Sequence, residues 1–399
     1  MSISIDDQIK ALSRRCERIL NEEDLKRKLA RSKQDGKPLR IKLGMDPTAP
    51  DVTLGHAVPL TVIRQFQEWG HKAVLIIGDY TARVGDPTGR NKTRPVLSGE
   101  EIDRNAKTYV AQVGKILLTD PTHLEVRHNG EWLAGMNLMD VIKLASKATV
   151  AQMLTREDFA NRFKEGVEIR MHEIMYPLLQ GWDSVMIHAD VEMGGSDQLF
   201  NNLVGRGFQQ EQGQEGQVVI VTPLLVGTDG VKKMSKSVGN YIGVTDAPAG
   251  ASGMFGKVMS LPDSAMEMYY TLVTDLAPEQ FKAQIARNPR DAKVALAKYI
   301  ITRFHDAAAA EKAAREFEIA THGGIPDEMP ELKLDGPSKL APLMVKAGMV
   351  ASNGEGVRKI KEGAVRIDGE KVADFLKEYS FDKPAVLQMG SRKFVKLIP

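Results

Sequence analysis

Two short strand-like segments, one alternating and one continuously apolar, separated by one amphipathic stretch constrain this chain more than any other feature in it. Leu39-Arg-Ile-Lys-Leu43 alternates apolar and polar residues and stops at Gly44, and Ala73-Val-Leu-Ile-Ile77 is continuously apolar and stops at Gly78. Both read as buried strands. Between them, His56 to Trp69 carries Val58, Val62, Ile63 and Phe66 at helical spacing, admits Pro59 only near its first turns, and stops at Gly70. The unit is strand, helix, strand. Ser98 with Glu101 three residues on makes a capping box for a helix reaching about Leu118, more helices are expected across Met139 to Gly181, and Val218-Val-Ile-Val221 reads as a later strand. This alternation predicts an α/β fold with a doubly wound parallel sheet, in which ligands bind beyond the carboxyl ends of the strands.

The sheet does not account for the whole of the 399 residues. After Lys232 to Lys236 the pattern becomes helical, from Ala265 to Thr321, with an alanine-rich stretch near Ala307 to Ala314. Glycines and three prolines between His322 and Pro337 suit a linker, and about sixty residues of a compact unit follow. The expected domains are 1–237 (sheet, with an inserted helical connection), 238–325 (helical), 326–337 (linker) and 338–399. The lone cysteine, Cys16, rules out an internal disulfide framework and a thiolate metal centre, so no protein-bound structural metal is expected and a reducing, cytoplasmic setting is. The first residues hold no apolar run of signal-peptide length, and no stretch approaches the roughly 20 apolar residues of a membrane span. Charge is nearly balanced overall, 54 basic against 52 acidic side chains, yet Ser338 to Pro399 carries 12 Lys plus Arg against 7 Asp plus Glu. That surplus suits either a solvated positive face or an RNA-binding one.

Three segments carry chemistry. Gly44-Met-Asp46-Pro-Thr48-Ala and Thr53-Leu-Gly55-His56 fall between the first strand and the first helix. Exposed N–H groups at a helix start attract phosphate, Gly44 and Gly55 let a nucleotide approach the backbone, His56 and Thr48 can donate to phosphate oxygens, and Asp46 can accept from ribose hydroxyls. A helix-start histidine is also commonly a structural hydrogen-bonder, but the strand-turn-helix setting favours phosphate. Lys232-Lys233-Met-Ser-Lys236-Ser237, preceded by Gly227-Thr-Asp-Gly230, sets two lysines three apart on a mobile, glycine-flanked loop. Such ammonium groups stabilise charge on a departing pyrophosphate, although a plain basic loop has the same composition. Met175-Tyr176-Pro-Leu-Leu-Gln180-Gly-Trp-Asp183 places Tyr176, Gln180 and Asp183 at i, i+4 and i+7, on one helical face, as either a binding face or a half-buried polar stripe.

Thr53-Leu-Gly-His56 and Lys233-Met-Ser-Lys-Ser237 resemble the HIGH and KMSKS signatures of the class I aminoacyl-tRNA synthetases, and the Tyr176 segment is similar to the motif of the tyrosyl branch of that family. The resemblance spans essentially the whole chain. It implies a Rossmann-like catalytic domain, then an α-helical domain, then a small α+β S4-like RNA-binding domain. It implies that Tyr176 and Gln180 hold the ammonium group of L-tyrosine and that Asp183 accepts from its phenol hydroxyl. Gly85-Asp86-Pro-Thr-Gly89-Arg90 with Arg94 resembles the loop in which Asp86 contacts the ammonium group and the arginines close over pyrophosphate. Gly194-Gly195-Ser-Asp197-Gln198 resembles the motif that holds the ATP ribose, through Gly195 and Asp197, and orients tyrosine, through Gln198. In the S4-like unit Arg358, Lys359, Lys361 and Arg366 are the expected contacts to tRNA(Tyr), largely to phosphate. Tryptophanyl relatives generally lack that unit, which favours tyrosine.

Three positions depart from the family pattern. Thr53 stands where the first HIGH histidine belongs, which weakens its contact with ATP or passes it to another group. Lys42 replaces a tyrosine that, in many bacterial tyrosyl enzymes, touches the substrate hydroxyl, and Glu192 replaces a glutamine. With those reservations, the resemblance implies activation of tyrosine by ATP with Mg²⁺, transfer to the 3′ adenosine of tRNA, no editing domain and a homodimer. Two rival readings remain at this point: a synthetase-like RNA-binding protein that needs no catalysis, and a small-molecule adenylyltransferase. The lysines at 233 and 236 speak against the first, and the C-terminal unit against the second.

Overall fold

The computed structural model describes residues 3–87, 98–321, 329–334, 336–390 and 393–399. The chain divides into two compact units, Met1–Thr245 with Leu261–Pro289, and Asp246–Ser260 with Arg290–Pro399.

The first unit is built on a six-stranded sheet of β1 (Arg18–Leu20), β2 (Arg40–Met45), β3 (Lys72–Ile77), β4 (Leu124–His128), β5 (Val191–Gly195) and β6 (Val218–Thr222), in the order β1-β6-β5-β2-β3-β4. All neighbours are parallel except β1, which runs antiparallel to β6 at the edge. β3 and β6 are buried along nearly their whole length, as strands covered on both faces must be. Each large apolar side chain withdrawn from water there contributes about 1.5–3 kcal/mol before the entropy of ordering is set against it. The helix α1 (Leu54–Glu68) crosses from β2 to β3, and α2 (Gly99–Val113) opens on the expected Ser98–Glu101 capping box but stops at Gly114, short of the expected Leu118. α3 (Met171–Met186) and α4 (Leu199–Glu211) lie close together because Gly181 admits the approach. A Cβ at Gly181 would stand 2.9 Å from Val204 Cγ1 and 3.0 Å from the Gly205 nitrogen.

Residues 261–289, expected within a helical domain over 238–325, group with the sheet. The physical ties are specific. The Tyr269 hydroxyl donates to the Val226 carbonyl at 2.8 Å, and Arg15 donates to the Thr274 carbonyl at 2.6 Å.

In the second unit, Phe255 of the helix Met254–Met259 lies 5.1 Å, centroid to centroid, from Phe317 of the helix Ala307–Thr321. Further along come β7 (Glu331–Lys333), β8 (Ser338–Lys339), α5 (Leu340–Lys346), α6 (Asn353–Lys361), β9 (Val365–Ile367), β10 (Glu370–Lys371), β11 (Glu378–Tyr379), β12 (Ala385–Met389) and β13 (Lys393–Ile398). Five of these strands make one sheet, β10-β9-β12-β13-β7, while β8 and β11 pair separately. Leu343, Met344, Ile360, Val365, Leu387 and Leu397 fill the core beneath it. β7 falls inside the stretch read as a linker. It pairs in parallel with β13, and its Leu332 packs on that core, while 326–328 and 335 lie outside the described residues. Among the described residues no helix is long and apolar enough to cross a membrane.

Candidate active site

Where β2 and β5 lie side by side, the strand order proceeds outward in both directions, through β3 and through β6. At the carboxyl ends of these strands opens a cavity of about 390 Å³, reached by Gly44 and Met45 from β2, Ile76 from β3, Gly195 from β5 and Thr222 from β6. A crevice at such a switch point is where a doubly wound sheet receives a ligand. Every position read as catalytic, ATP-binding or tyrosine-binding among the described residues lines it: Gly44, Asp46, Thr48, Thr53, Gly55, His56, Asp86, Tyr176, Gln180, Asp183, Gly195, Asp197, Gln198, Lys233 and Lys236. Arg90 and Arg94 lie outside the described residues.

The start of α1 forms one wall. Thr53 is its N-cap, and the backbone N–H of Thr53 donates to His56 Nδ1 at 3.1 Å while the Thr53 hydroxyl lies 2.9 Å from the same nitrogen. A ring nitrogen that accepts from a backbone N–H carries no proton, so the proton of neutral His56 sits on Nε2. Burial, then Lys236 and Lys233, push the His56 imidazolium down to about 3. His56 is thus a neutral donor held in one tautomer. Thr53, the departure from the HIGH pattern, supplies the cap that holds it there.

Opposite, α3 turns Tyr176, Gln180 and Asp183 into the cavity, as their spacing predicts. A chain of hydrogen bonds joins them to the sheet. Tyr176 donates to Asp46 Oδ2 at 2.9 Å, Thr81 donates to Asp46 Oδ1 at 2.7 Å, and Asn129 Nδ2 donates to the Thr81 hydroxyl at 2.9 Å. Asn129 also reaches Asp183 Oδ2 at 3.3 Å, and Trp132 Nε1 donates to Asp183 Oδ1 at 2.8 Å. Asp46, read as an acceptor for ribose hydroxyls, here accepts from the hydroxyls of Tyr176 and Thr81. Gly78 is required here, since a Cβ would stand 1.9 Å from Asp46 Oδ1. Burial pushes the Asp183 carboxyl up to about 7, against the opposing pull of Lys42 and of the Trp132 and Asn129 hydrogen bonds. Burial, with Asp46 next, pushes the Tyr176 phenol well above its ordinary value.

The remaining polar wall is one network. Asn201 Nδ2 donates to Gln180 Oε1 at 2.9 Å and to Gln198 Oε1 at 3.1 Å, and Gln198 Nε2 donates to Asp86 Oδ2 at 2.9 Å. Arg156, 4% exposed, pairs with Asp86 at 3.3 Å and with Asp158 at 2.8 Å.

The lysine loop, expected to be mobile, is tied at several points. Met234 is buried, its N–H donates to the Leu225 carbonyl at 2.8 Å, and its sulfur accepts from the Gly55 N–H at 3.4 Å. Asn240 accepts from the Ser235 N–H at 2.8 Å and donates to Asp229 at 2.7 Å. From this frame Lys233 Nζ pairs with Asp197 Oδ2 at 2.6 Å. Lys236 Nζ donates to the Tyr109 hydroxyl at 3.0 Å and lies 5.1 Å from the centroid of that ring.

Asn129, Trp132, Arg156, Asn201, Tyr109 and Asn240 escaped the reading of the sequence. Asn129, Trp132 and Arg156 are single residues in segments without a motif, while Asn201 and Asn240 lie three residues past the ends of motifs that did not include them. Only for Tyr109 was there a local signal, its place on a helix whose capping box was legible.

Lys42 does not belong to the described lining of the cavity. It is fully buried and pairs with Glu192 Oε1 at 2.8 Å, so two of the three departures from the family pattern contact one another. In the second unit, Arg358, Lys359 and Lys361 fall in the last turn of α6 and Arg366 on β9. Lys359 pairs with Glu362 at 2.8 Å, Lys361 lies 4.6 Å from the Phe375 ring centroid, and Arg358 and Arg366 are exposed.

A family model described as "tRNA synthetases class I (W and Y)" matches residues 33–321. The chain is 50% identical over 395 residues to a protein of Bordetella pertussis named tyrosine–tRNA ligase, covering 97% of this chain and 95% of that one. It is 50% identical over 406 residues to the protein of that name from Carboxydothermus hydrogenoformans, covering 98% and 97%. Among solved structures, a tyrosyl-tRNA synthetase of Archaeoglobus fulgidus complexed with L-tyrosine superposes with a TM-score of 0.63 at 23% identity, covering 77% of this chain and 99% of that chain.

Proposed function

The chain belongs to the class I tRNA synthetases for tryptophan and tyrosine, and its activity is that of a tyrosine–tRNA ligase; from that premise we propose how its own residues divide the work. The carrying observation is that one cavity holds both halves of the ATP signature and the Tyr176–Gln180–Asp183 face.

In the first step a carboxylate oxygen of tyrosine attacks the α-phosphorus of ATP, the bond to the bridging oxygen breaks, and pyrophosphate leaves as the tyrosyl-adenylate forms. A carboxylate is ionised at neutral pH, so the step needs no general base. Positioning and charge do the rest. Tyr176, Gln180, Asp86 and Gln198 hold the tyrosine ammonium end, and Asp183 accepts from the phenol hydroxyl. Gly44, Gly55, Gly195 and Asp197 receive the nucleotide, with Asp46 between nucleotide and amino acid. Thr48 and the Nε2–H of His56 donate to phosphate oxygens on one side, and Lys233 and Lys236 neutralise the leaving pyrophosphate on the other, with Arg90 and Arg94 closing late. Thr53 acts through His56, whose donor it orients. Mg²⁺ would accompany ATP as the counter-ion of its phosphates. In the second step the terminal adenosine of tRNA attacks the activated carbonyl through its 2′-hydroxyl and AMP leaves.

Pyrophosphate exchange tests this assignment. Exchange is expected with tyrosine alone among the amino acids, followed by charging of tRNA. Its kcat/KM for tyrosine is expected to rise as pH increases through about 7 and to level off above, because the ionised Asp183 carboxylate accepts the phenol hydrogen more strongly than the protonated carboxyl does. His56, already neutral above about 3, adds no limb in that range. A profile flat from pH 6 to 8 would remove Asp183 from this role.

The C-terminal unit is proposed as an S4-like module that docks the tRNA backbone through Arg358, Lys359, Lys361 and Arg366, and the cytoplasm as its setting. We also propose a homodimer. Leu138, Met139 and Ile142 lie exposed on the helix Leu138–Ala145, and Met171 on the α3 that touches it is 72% exposed. Four exposed apolar side chains on two touching helices favour a partner of the same kind. Sedimentation should give twice the 43.9 kDa mass of one chain, and Ile142→Asp should return it to the single mass.

A further inference from the structure

Beneath the cavity, two opposite charges are buried on neighbouring central strands, in register. Lys42 on β2 stands directly opposite Glu192 on β5, and their side chains are 0% and 1% exposed. A buried ion pair is costly to desolvate, so its partners must be well satisfied. Here they are. The Lys42 ammonium donates to Glu192 at 2.8 Å, to the Ser184 hydroxyl at 2.7 Å and to the Gln180 carbonyl at 3.0 Å, which uses its three hydrogens. Glu192 accepts in turn from Ser184 at 3.1 Å and from Gln217 Nε2, and Gln217 also donates to the Asn202 carbonyl of α4 at 2.9 Å.

These contacts grip one turn of α3, from Gln180 to Ser184. That turn contains Asp183. The pair itself does not line the cavity, whereas Gln180 and Asp183 do. We propose that the Lys42–Glu192 pair is a specificity-determining clamp, positioning from below the Gln180–Ser184 turn and with it the Asp183 carboxylate that reads the tyrosine hydroxyl. The inference rests on that reading of Asp183. The two charges also act on Asp183 in opposite senses, Lys42 favouring its ionised form and Glu192 opposing it. Tyr176, on the same face of α3, is held further from ionisation by the Asp183 charge, and Trp132 and Asn129 donate hydrogen bonds to Asp183.

The test compares Lys42→Met, Glu192→Gln, their combination and Asp183→Ala in tyrosine- and phenylalanine-dependent pyrophosphate exchange across pH. Each single clamp variant is expected to lower kcat/KM for tyrosine about tenfold or more and to erode the preference over phenylalanine, with the KM for ATP little changed. The pH limb of tyrosine kcat/KM should move by about one pH unit, upward in Lys42→Met and downward in Glu192→Gln, and back toward its original place in the double variant. Should Lys42→Met fail to fold, Glu192→Gln and the double variant carry the same comparison. Limbs that stay in place, or losses shared equally between tyrosine and ATP, would overturn the clamp. If Asp183→Ala itself leaves the preference for tyrosine intact, the fault lies in the reading of Asp183, and the two failures are told apart.

Discussion

Asp183→Ala is expected to lower the ratio of kcat/KM for tyrosine over phenylalanine by about 10³-fold or more, the scale on which a site built around a hydroxyl rejects the analogue that lacks it. In the folded chain Asp183 is 3% exposed and both its oxygens are approached, by Trp132 and Asn129. Phenylalanine entering such a site leaves a buried carboxylate without the donor it was placed to receive, and that loss is large away from water. With alanine at 183 the penalty disappears, while the aromatic ring is still accommodated. Tyrosine should therefore lose and phenylalanine gain. Exchange measured with both amino acids gives the ratio directly, and an unchanged ratio would place hydroxyl recognition elsewhere in the cavity.

Lys236→Ala should reduce kcat for tyrosine-dependent pyrophosphate exchange by about 10²–10³-fold, comparable to the removal of one preorganised donor from a transition state, while tyrosine binding changes little. Lys236 rests on Tyr109, which holds the ammonium near the cavity before any phosphate arrives. A charge already in place needs no reorganisation as pyrophosphate departs, and it acts on the transition state more than on bound tyrosine. Lys233, the other signature lysine, is paired with Asp197. Tyrosine binding followed by equilibrium titration and exchange measured in parallel would separate the two effects. Equal losses in both, or exchange that persists unchanged, would refute the role assigned to Lys236.

The elements nearest the cavity were those most legible in the sequence. The strands at Leu39–Leu43 and Ala73–Ile77, the helix between them and the Ser98–Glu101 capping box appear within a residue or two of their expected places. Their signals are periodic and local, so neighbours along the chain suffice to specify them. The helical spacing of Tyr176, Gln180 and Asp183 also survived folding unchanged. What surrounds those residues was not legible. Trp132, Asn129 and Arg156 come from the connection between β4 and α3, where nothing local distinguishes a polar side chain that turns inward from one that faces water.

By itself, then, the sequence determined the βαβ unit, the two signature segments, the face of α3 and the basic C-terminal surplus, because each depends on spacing along one stretch of chain. The meeting of β2 with β5 depends on which strands pair, and in which register, among residues some 150 positions apart. Tertiary structure alone decided that Thr53 would cap and orient His56, that Tyr109 would hold Lys236, and that Lys42 would meet Glu192. Read singly, Lys42 and Glu192 were two unrelated departures from a family pattern. Placed opposite one another in a dry interior, where neither charge is tolerated without its partner, they are one feature.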